Sequence, residues 1–217
     1  MQIARLYRDA QRSFVEVAQD FTTADWNTPV PCTPGWTVHD VVSHVAGVTD
    51  DVLNGRVEGA ATEPWTASQV ERWRETPRAQ LIAQWNDQID AVADALESFG
   101  ERRPPIDCHM HEHDVRQALG RPGHRDSEIV ATIVQIFAAD WDRQPIEITF
   151  VDGSAITTAG TGSVRRLVDV TPFDIARSAL GRRSRDQVVG WNWSEPLSGA
   201  DLDAWFTFGP SITDIVE

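Results

Sequence analysis

Near Pro145 the spacing of apolar residues changes from helical to alternating, and this one switch limits the chain to a helical part followed by a mixed part. Before it, Ile3, Leu6, Tyr7, Ala10, Phe14, Val17 and Phe21 recur at the period of a first helix. After the turn-rich NTPVPCTPGW, Thr37 reads as an N-cap with Asp40 in the first helical turn. Val38, Val41, Val42, Val45 and Val52 then mark a second helix, ending near Asn54 and Gly55. The spacing of Leu81, Ile82, Trp85, Ile89, Val92, Leu96 and Phe99 predicts a third helix over 78–99. Pro104 and Pro105 open a fourth over 106–119, which Gly120 stops. Asp126 or Ser127 caps a fifth through Phe137. Four or five amphipathic helices joined by short loops predict an antiparallel bundle over residues 1–140.

From Pro145 onward IEITFVDGS, AITTAG and SVRRLVDV alternate as strands joined by turns containing glycine. Thr171 and Pro172 begin a helix, QVVGWNWS reads as a further strand, and a short terminal helix carries Trp205 and Phe206. Trp191 and Trp193 fall on one face of that strand and read as interdomain packing residues. The expected fold class is therefore α+β, a helical bundle followed by a small α+β domain over residues 145–217.

Composition excludes several functions. The 217 residues are 41% hydrophobic with no run long enough for a membrane span, and the first helix lacks the pattern of a signal peptide. The expectation is a cytoplasmic globular protein. A net charge of -14 argues against nucleic acid or an anionic membrane as partner. Every basic residue is Arg, which removes Schiff-base lysine chemistry and a P-loop lysine. Two cysteines, Cys32 and Cys108, make no disulfide scaffold and no zinc finger, and neither a G-x-S-x-G elbow nor HExxH is present.

The histidines carry the candidate chemistry. On a helical wheel of the fourth helix, Asp107, His111, Asp114 and Ala118 fall within roughly 60° of one another, beside an apolar edge of Cys108, Val115 and Leu119. His109 and His113 fall with Arg116 on a face expected to meet water, Arg116 there as a salt-bridge partner. Asp107 and His111, at i and i+4, can reach one metal from the same side, and His44 on the second helix borders the valine stripe where a side chain enters the bundle. The competing reading is a solvated polar face in CHMHEHD and a His44 that merely hydrogen-bonds a carbonyl.

Beyond spacing, TPGWTVHDVVSHVAGV resembles the second helix of the DinB-like mycothiol-dependent maleylpyruvate isomerase family, whose final His is a metal ligand. DCHMHEHDVRQALGRPG is similar to that family's second metal motif, with Asp114, Arg116, Ala118 to Gly120 and Pro122 in register, which places ligands at Asp107 and His111. FDIARSALGRRSRDQVVGWNWS resembles the family's C-terminal signature. Family members usually carry Glu where this chain has Asp107. The shorter acid reaches a metal only if its helix sits closer; otherwise water bridges it, or His113 or Asp114 is recruited.

The resemblance implies a DinB-like bundle holding a divalent metal, zinc first, through His44, Asp107 and His111. It implies mycothiol as thiol cosubstrate, a small electrophile as partner, and isomerase or S-transferase chemistry. It also implies Arg182 as a catalytic basic residue, although an Arg at a helix end equally suits the helix dipole. Trp36 reads as a packing residue anchoring the loop beside the site. The alternative is a non-enzymatic metal-binding or regulatory protein on the same fold.

Overall fold

The structure, a computed structural model, describes residues 2–217. The chain forms two compact units, one ending at Gly123 and the other running from His124 to Val216.

In the first unit the helices are α1 (Ile3–Gln19), α2 (Thr23–Trp26), α3 (Val38–Leu53), α4 (Glu63–Trp73), α5 (Arg78–Asp87), α6 (Ile89–Phe99) and α7 (Arg103–Ala118). Helix α1 packs on α5, α6 and α7, and α3 packs on α4, α5, α6 and α7. The core between them is aromatic as well as aliphatic. Phe14 meets Trp85 edge to face at 5.5 Å, Trp85 Nε1 donates to the Tyr7 hydroxyl at 3.4 Å, and that hydroxyl pairs with Thr49 Oγ1.

The expected single helix over 78–99 is two helices broken at Gln88. In an unbroken helix the Trp85 carbonyl would accept from the amide of Ile89. Here the buried Gln11 side chain donates to it at 2.6 Å and the Gln88 amide at 3.3 Å, so the ladder restarts. Two helices have no counterpart in the sequence reading: the single turn α2, held by a Thr22–Asp25 capping box, and α4, which begins with Pro64 in its first turn.

The second unit contains α8 (Glu128–Asp140), β1 (Ile146–Phe150), β2 (Ala155–Thr157), β3 (Arg165–Val170), α9 (Pro172–Ala179), α10 (Arg185–Val189), β4 (Asn192–Trp193) and α11 (Gly199–Trp205). Helix α8, expected as the last helix of the bundle, belongs by compactness to this unit, where it packs on α9. The amide of Ala159 ties it further by donating to the Ala138 carbonyl at 2.7 Å. The sheet order is β2-β1-β3-β4, with β1 and β3 parallel and both outer pairings antiparallel. A bulge at Asp169, in the left-handed region at φ 62°, shifts the β1–β3 register before Phe150 meets Val170. Gly160 is required where it stands: at φ 122° an added Cβ would lie 1.8 Å from the Arg143 carbonyl oxygen.

The run QVVGWNWS is not one strand. Ser184 and Gln187 form a capping box that starts α10 before the chain straightens for only two residues of β4. Trp191 and Trp193 pack within the second unit, each edge-on to Trp205 at 5.9 and 5.5 Å, and Phe137 and Trp141 of the same unit close the cluster. Trp205 is 1% exposed and its Nε1 donates to Ser178 Oγ at 2.9 Å. Among the described residues no helix is long and apolar enough to cross a membrane.

This cluster anchors the second unit, so Trp205→Ala should cost about 3–5 kcal/mol of unfolding free energy in denaturant titrations and abolish the near-ultraviolet circular dichroism of the coupled indoles. A loss under about 1 kcal/mol would show that the cluster contributes little.

Candidate metal centre

The Thr37–Asp40 capping box fixes where α3 begins: the Asp40 amide donates to Thr37 Oγ1 at 3.3 Å, and the Thr37 amide donates to Asp40 Oδ2 at 2.9 Å. That start puts His44 in the second turn of α3, facing α7. A bridge between Pro29 and Thr37, with the Val30 amide donating to the Trp36 carbonyl at 2.9 Å, closes the preceding loop. Trp36 thereby lies against both imidazoles, 5.3 Å from the His44 ring and 6.4 Å from that of His111. The expected anchoring role of Trp36 is what the geometry displays.

His44, Asp107 and His111 come together with one donor atom each, all within 4.8 Å of one another. His44 Nε2 lies 3.4 Å from Asp107 Oδ2, and His111 Nε2 lies 3.5 Å from Asp107 Oδ1. Two ligands on a tetrahedral ion at zinc–nitrogen and zinc–oxygen distances stand about 3.4 Å apart, so the spacing fits a shared cation. Asp107 therefore reaches the histidines despite being one methylene shorter than Glu. Both imidazoles are buried, at 5% and 7% side-chain exposure, while Asp107 at 29% forms the solvent-facing edge.

Each ring is held from behind. Asp114 Oδ2 lies 3.0 Å from His111 Nδ1, and Gln69 Oε1 lies 2.7 Å from His44 Nδ1. With Nδ1 donating in both cases, Nε2 is the nitrogen that faces Asp107. Asp114 thus stands behind His111 and is not a third donor. The His44 pKa is raised above its ordinary value: burial, the largest single influence, lowers it, but Asp107 beside it and the Gln69 hydrogen bond together outweigh burial. The pocket favours positive charge at this point.

Gln69 and Trp65 come from α4, which the sequence reading did not find. Trp65 stands edge-on to His44 at 6.4 Å and donates from Nε1 to the Arg56 carbonyl at 2.9 Å. Gly47, on α3, admits α4 this closely: an added Cβ would sit 2.5 Å from Gln69 Cβ. A glycine one turn after a candidate ligand was the only trace of this contact in the sequence.

His109 and His113 do not face water. They are 2% and 3% exposed, and their rings meet at 4.5 Å. The wheel granted α7 a solvent face, but every residue from Cys108 to Val115 is buried. Glu112, fully buried, is satisfied by Ser13 Oγ and by Arg116 Nε, each at 2.7 Å, so Arg116 pairs inward and not at the surface. His113 packs on His109 and is not drawn into the His44 group. Arg182 belongs to the second unit, just beyond α9, where its guanidinium donates to the Leu180 carbonyl at 3.0 Å.

Cys108 is fully buried, and burial, then the Glu112 and Asp107 carboxylates, push its thiol well above the ordinary range. A disulfide-exchange reagent should therefore titrate one thiol, Cys32, in the native protein and two after unfolding. Rapid labelling of both in the native state would contradict the enclosure of α7.

Residues 7–130 match the mycothiol maleylpyruvate isomerase N-terminal domain. Two solved structures share the fold, the mycothiol-dependent maleylpyruvate isomerase and a histidine-to-alanine variant of it, at 12% and 13% identity. Each aligns with a TM-score of 0.55 over 90% of this chain and 93% of the other. No curated protein matches the chain in sequence. Because the domain match spans more than half of the chain, the protein belongs to the mycothiol maleylpyruvate isomerase N-terminal domain family.

Proposed function

We propose that the protein is a metal-dependent enzyme that turns the thiol of mycothiol on a small electrophile, as an isomerase of the maleylpyruvate type or as an S-transferase. The observation that carries this reading is the convergence of His44 Nε2 and His111 Nε2 on the two oxygens of Asp107, with both rings oriented from behind. The solved structures of the same fold are named for mycothiol dependence and for maleylpyruvate.

Two imidazoles and one carboxylate suit zinc and leave a coordination position for an outside ligand, the arrangement of a catalytic site. A bound divalent cation would supply Lewis acidity that makes a coordinated thiol a thiolate near neutral pH. His44 and His111 are its neutral donors, and Asp107 its anionic one. Gln69 and Asp114 fix the two rings, while Trp36 covers their faces. Cys108, the thiol on α7 beside Asp107, is enclosed and does not take this role.

In the isomerisation the sulfur adds to one carbon of the cis double bond, and the electron pair moves into the adjoining carbonyl. Rotation about the new single bond and expulsion of the sulfur then give the trans isomer and return the thiolate unchanged. In a transfer the carbon–sulfur bond persists and the adduct takes up the proton that the thiol lost. Arg182 is assigned to the carboxylate of the anionic substrate, on the sequence resemblance and on the planar guanidinium's match to a carboxylate.

Untagged protein should contain about one zinc or other divalent ion per chain by elemental analysis. The double variant His44→Ala, His111→Ala should contain none and consume neither maleylpyruvate nor a model electrophile with mycothiol. Equal metal in both proteins would overturn the site. Arg182→Ala should keep its metal and raise KM for an anionic substrate by roughly 10–100-fold. An unchanged KM would remove Arg182 from the reaction.

A further inference from the structure

We infer that Gln69 is a positioning residue that relays the charge of the buried Asp51 onto His44 and thereby holds His44 with its Nε2 directed at the metal position. The inference rests on the metal reading given above and deepens it.

The relay can be followed atom by atom. Asp51, two turns after His44 on α3, is fully buried. Its Oδ1 accepts from Arg56 Nε at 2.8 Å and forms an ion pair at the same distance with Arg72 Nη1, whose hydrogen bond goes to Asp50 Oδ2. Its Oδ2 accepts from Gln69 Nε2, also at 2.8 Å. Arg72 lies one turn beyond Gln69 on α4, so that helix supplies both the amide donor and a cationic partner.

The carboxylate can only accept, so it settles which end of the Gln69 amide faces it: the NH2 must point at Asp51, and the oxygen must point at His44. A carbonyl oxygen can only accept as well. His44 Nδ1, 2.7 Å away, donates to it, and Nε2 is then the nitrogen that can give up its proton to a cation beside Asp107. Polarisation of the amide by Asp51 strengthens its oxygen as an acceptor. The two histidines are thus supported unequally. His111 rests directly on a carboxylate, whereas His44 meets its carboxylate through an amide, which keeps a second negative charge away from the pocket.

Two measurements test the relay. The first is the imidazole nitrogen-15 spectrum of the full chain, which reports whether His44 Nδ1 carries a hydrogen-bonded proton. The second is Zn2+ affinity by competition with a chelator. His44 Nδ1 should carry that proton in the natural protein. Gln69→Leu should lose the hydrogen bond and weaken Zn2+ binding by roughly 10–100-fold. Gln69→Glu alone sets two carboxylates against each other and should weaken binding too. Adding Asp51→Asn to Gln69→Glu restores the order of acceptor and donor and should recover affinity, a rescue that a merely structural Gln69 would not produce.

A His44 Nδ1 without a proton in the natural protein, undiminished affinity in Gln69→Leu, or no recovery in the folded paired variant would each overturn the relay. Should Gln69→Leu fail to fold, the Nδ1 proton of the natural protein and the paired variant decide. A natural protein that takes up no Zn2+ would defeat the metal reading, while the Nδ1 proton still decides the relay.

Discussion

The enclosure of α7 is the constraint on which the first unit is built. From Cys108 to Val115 every side chain is buried, and five of them, His109, His111, Glu112, His113 and Asp114, are polar groups that water would otherwise satisfy. Burying such groups without partners costs several kcal/mol in total, more than a domain can spare. The neighbouring elements are accordingly chosen for what they donate. Helix α1 brings Ser13 to Glu112, α7 itself turns Arg116 back onto the same carboxylate, and Asp114 accepts a hydrogen bond from His111 Nδ1. A helix placed at the centre of a bundle with this composition has few tolerated orientations. The one observed sends Asp107 and His111 toward α3.

Helix α3 answers with the opposite economy. Its valines pack, and two of its buried polar side chains, His44 and then Asp51 two turns later, fall on one line along the helix. That line is covered by α4, whose Gln69 touches both ends of it. Gly47 lies between them on the same helix, and its missing side chain sets the distance at which α4 can lie. A substitution there would act on His44 through the position of Gln69, without touching His44, Asp107 or His111.

The legible parts of the sequence were those governed by local rules. The change of period gave the passage from helices to strands, the Thr37–Asp40 box gave the start of α3, and i, i+4 spacing gave Asp107 and His111 as a pair. Parts governed by tertiary contact were not legible. Helix α4 has only Val70, Trp73 and the polar Gln69 buried, too few to make a stripe, so its existence follows from what it covers. The break at Gln88 depends on a side chain 74 residues away in sequence from the carbonyl it captures. The burial of His109 and His113 could not be read from a wheel, because a wheel shows which residues share a face and not whether that face is covered. Gln69 shows the same limit at the site itself. A single buried amide acquires its meaning only when both of its neighbours are known.

The replacement of the family's usual Glu by Asp107 has a geometric consequence that a distance alone conceals. A shorter acid keeps its carboxylate near the α7 backbone, so both oxygens are directed at ring nitrogens, Oδ2 at His44 and Oδ1 at His111. A cation set among the three would be balanced by one negative charge and keep a net positive charge toward the exposed edge. On the proposed reading, that residual charge would favour a thiolate over a neutral thiol. Adding a second carboxylate directly behind His44 would erode it. The amide of Gln69 orients the ring with much less charge, and this is the physical reason that an uncharged side chain stands at the position nearest His44 Nδ1.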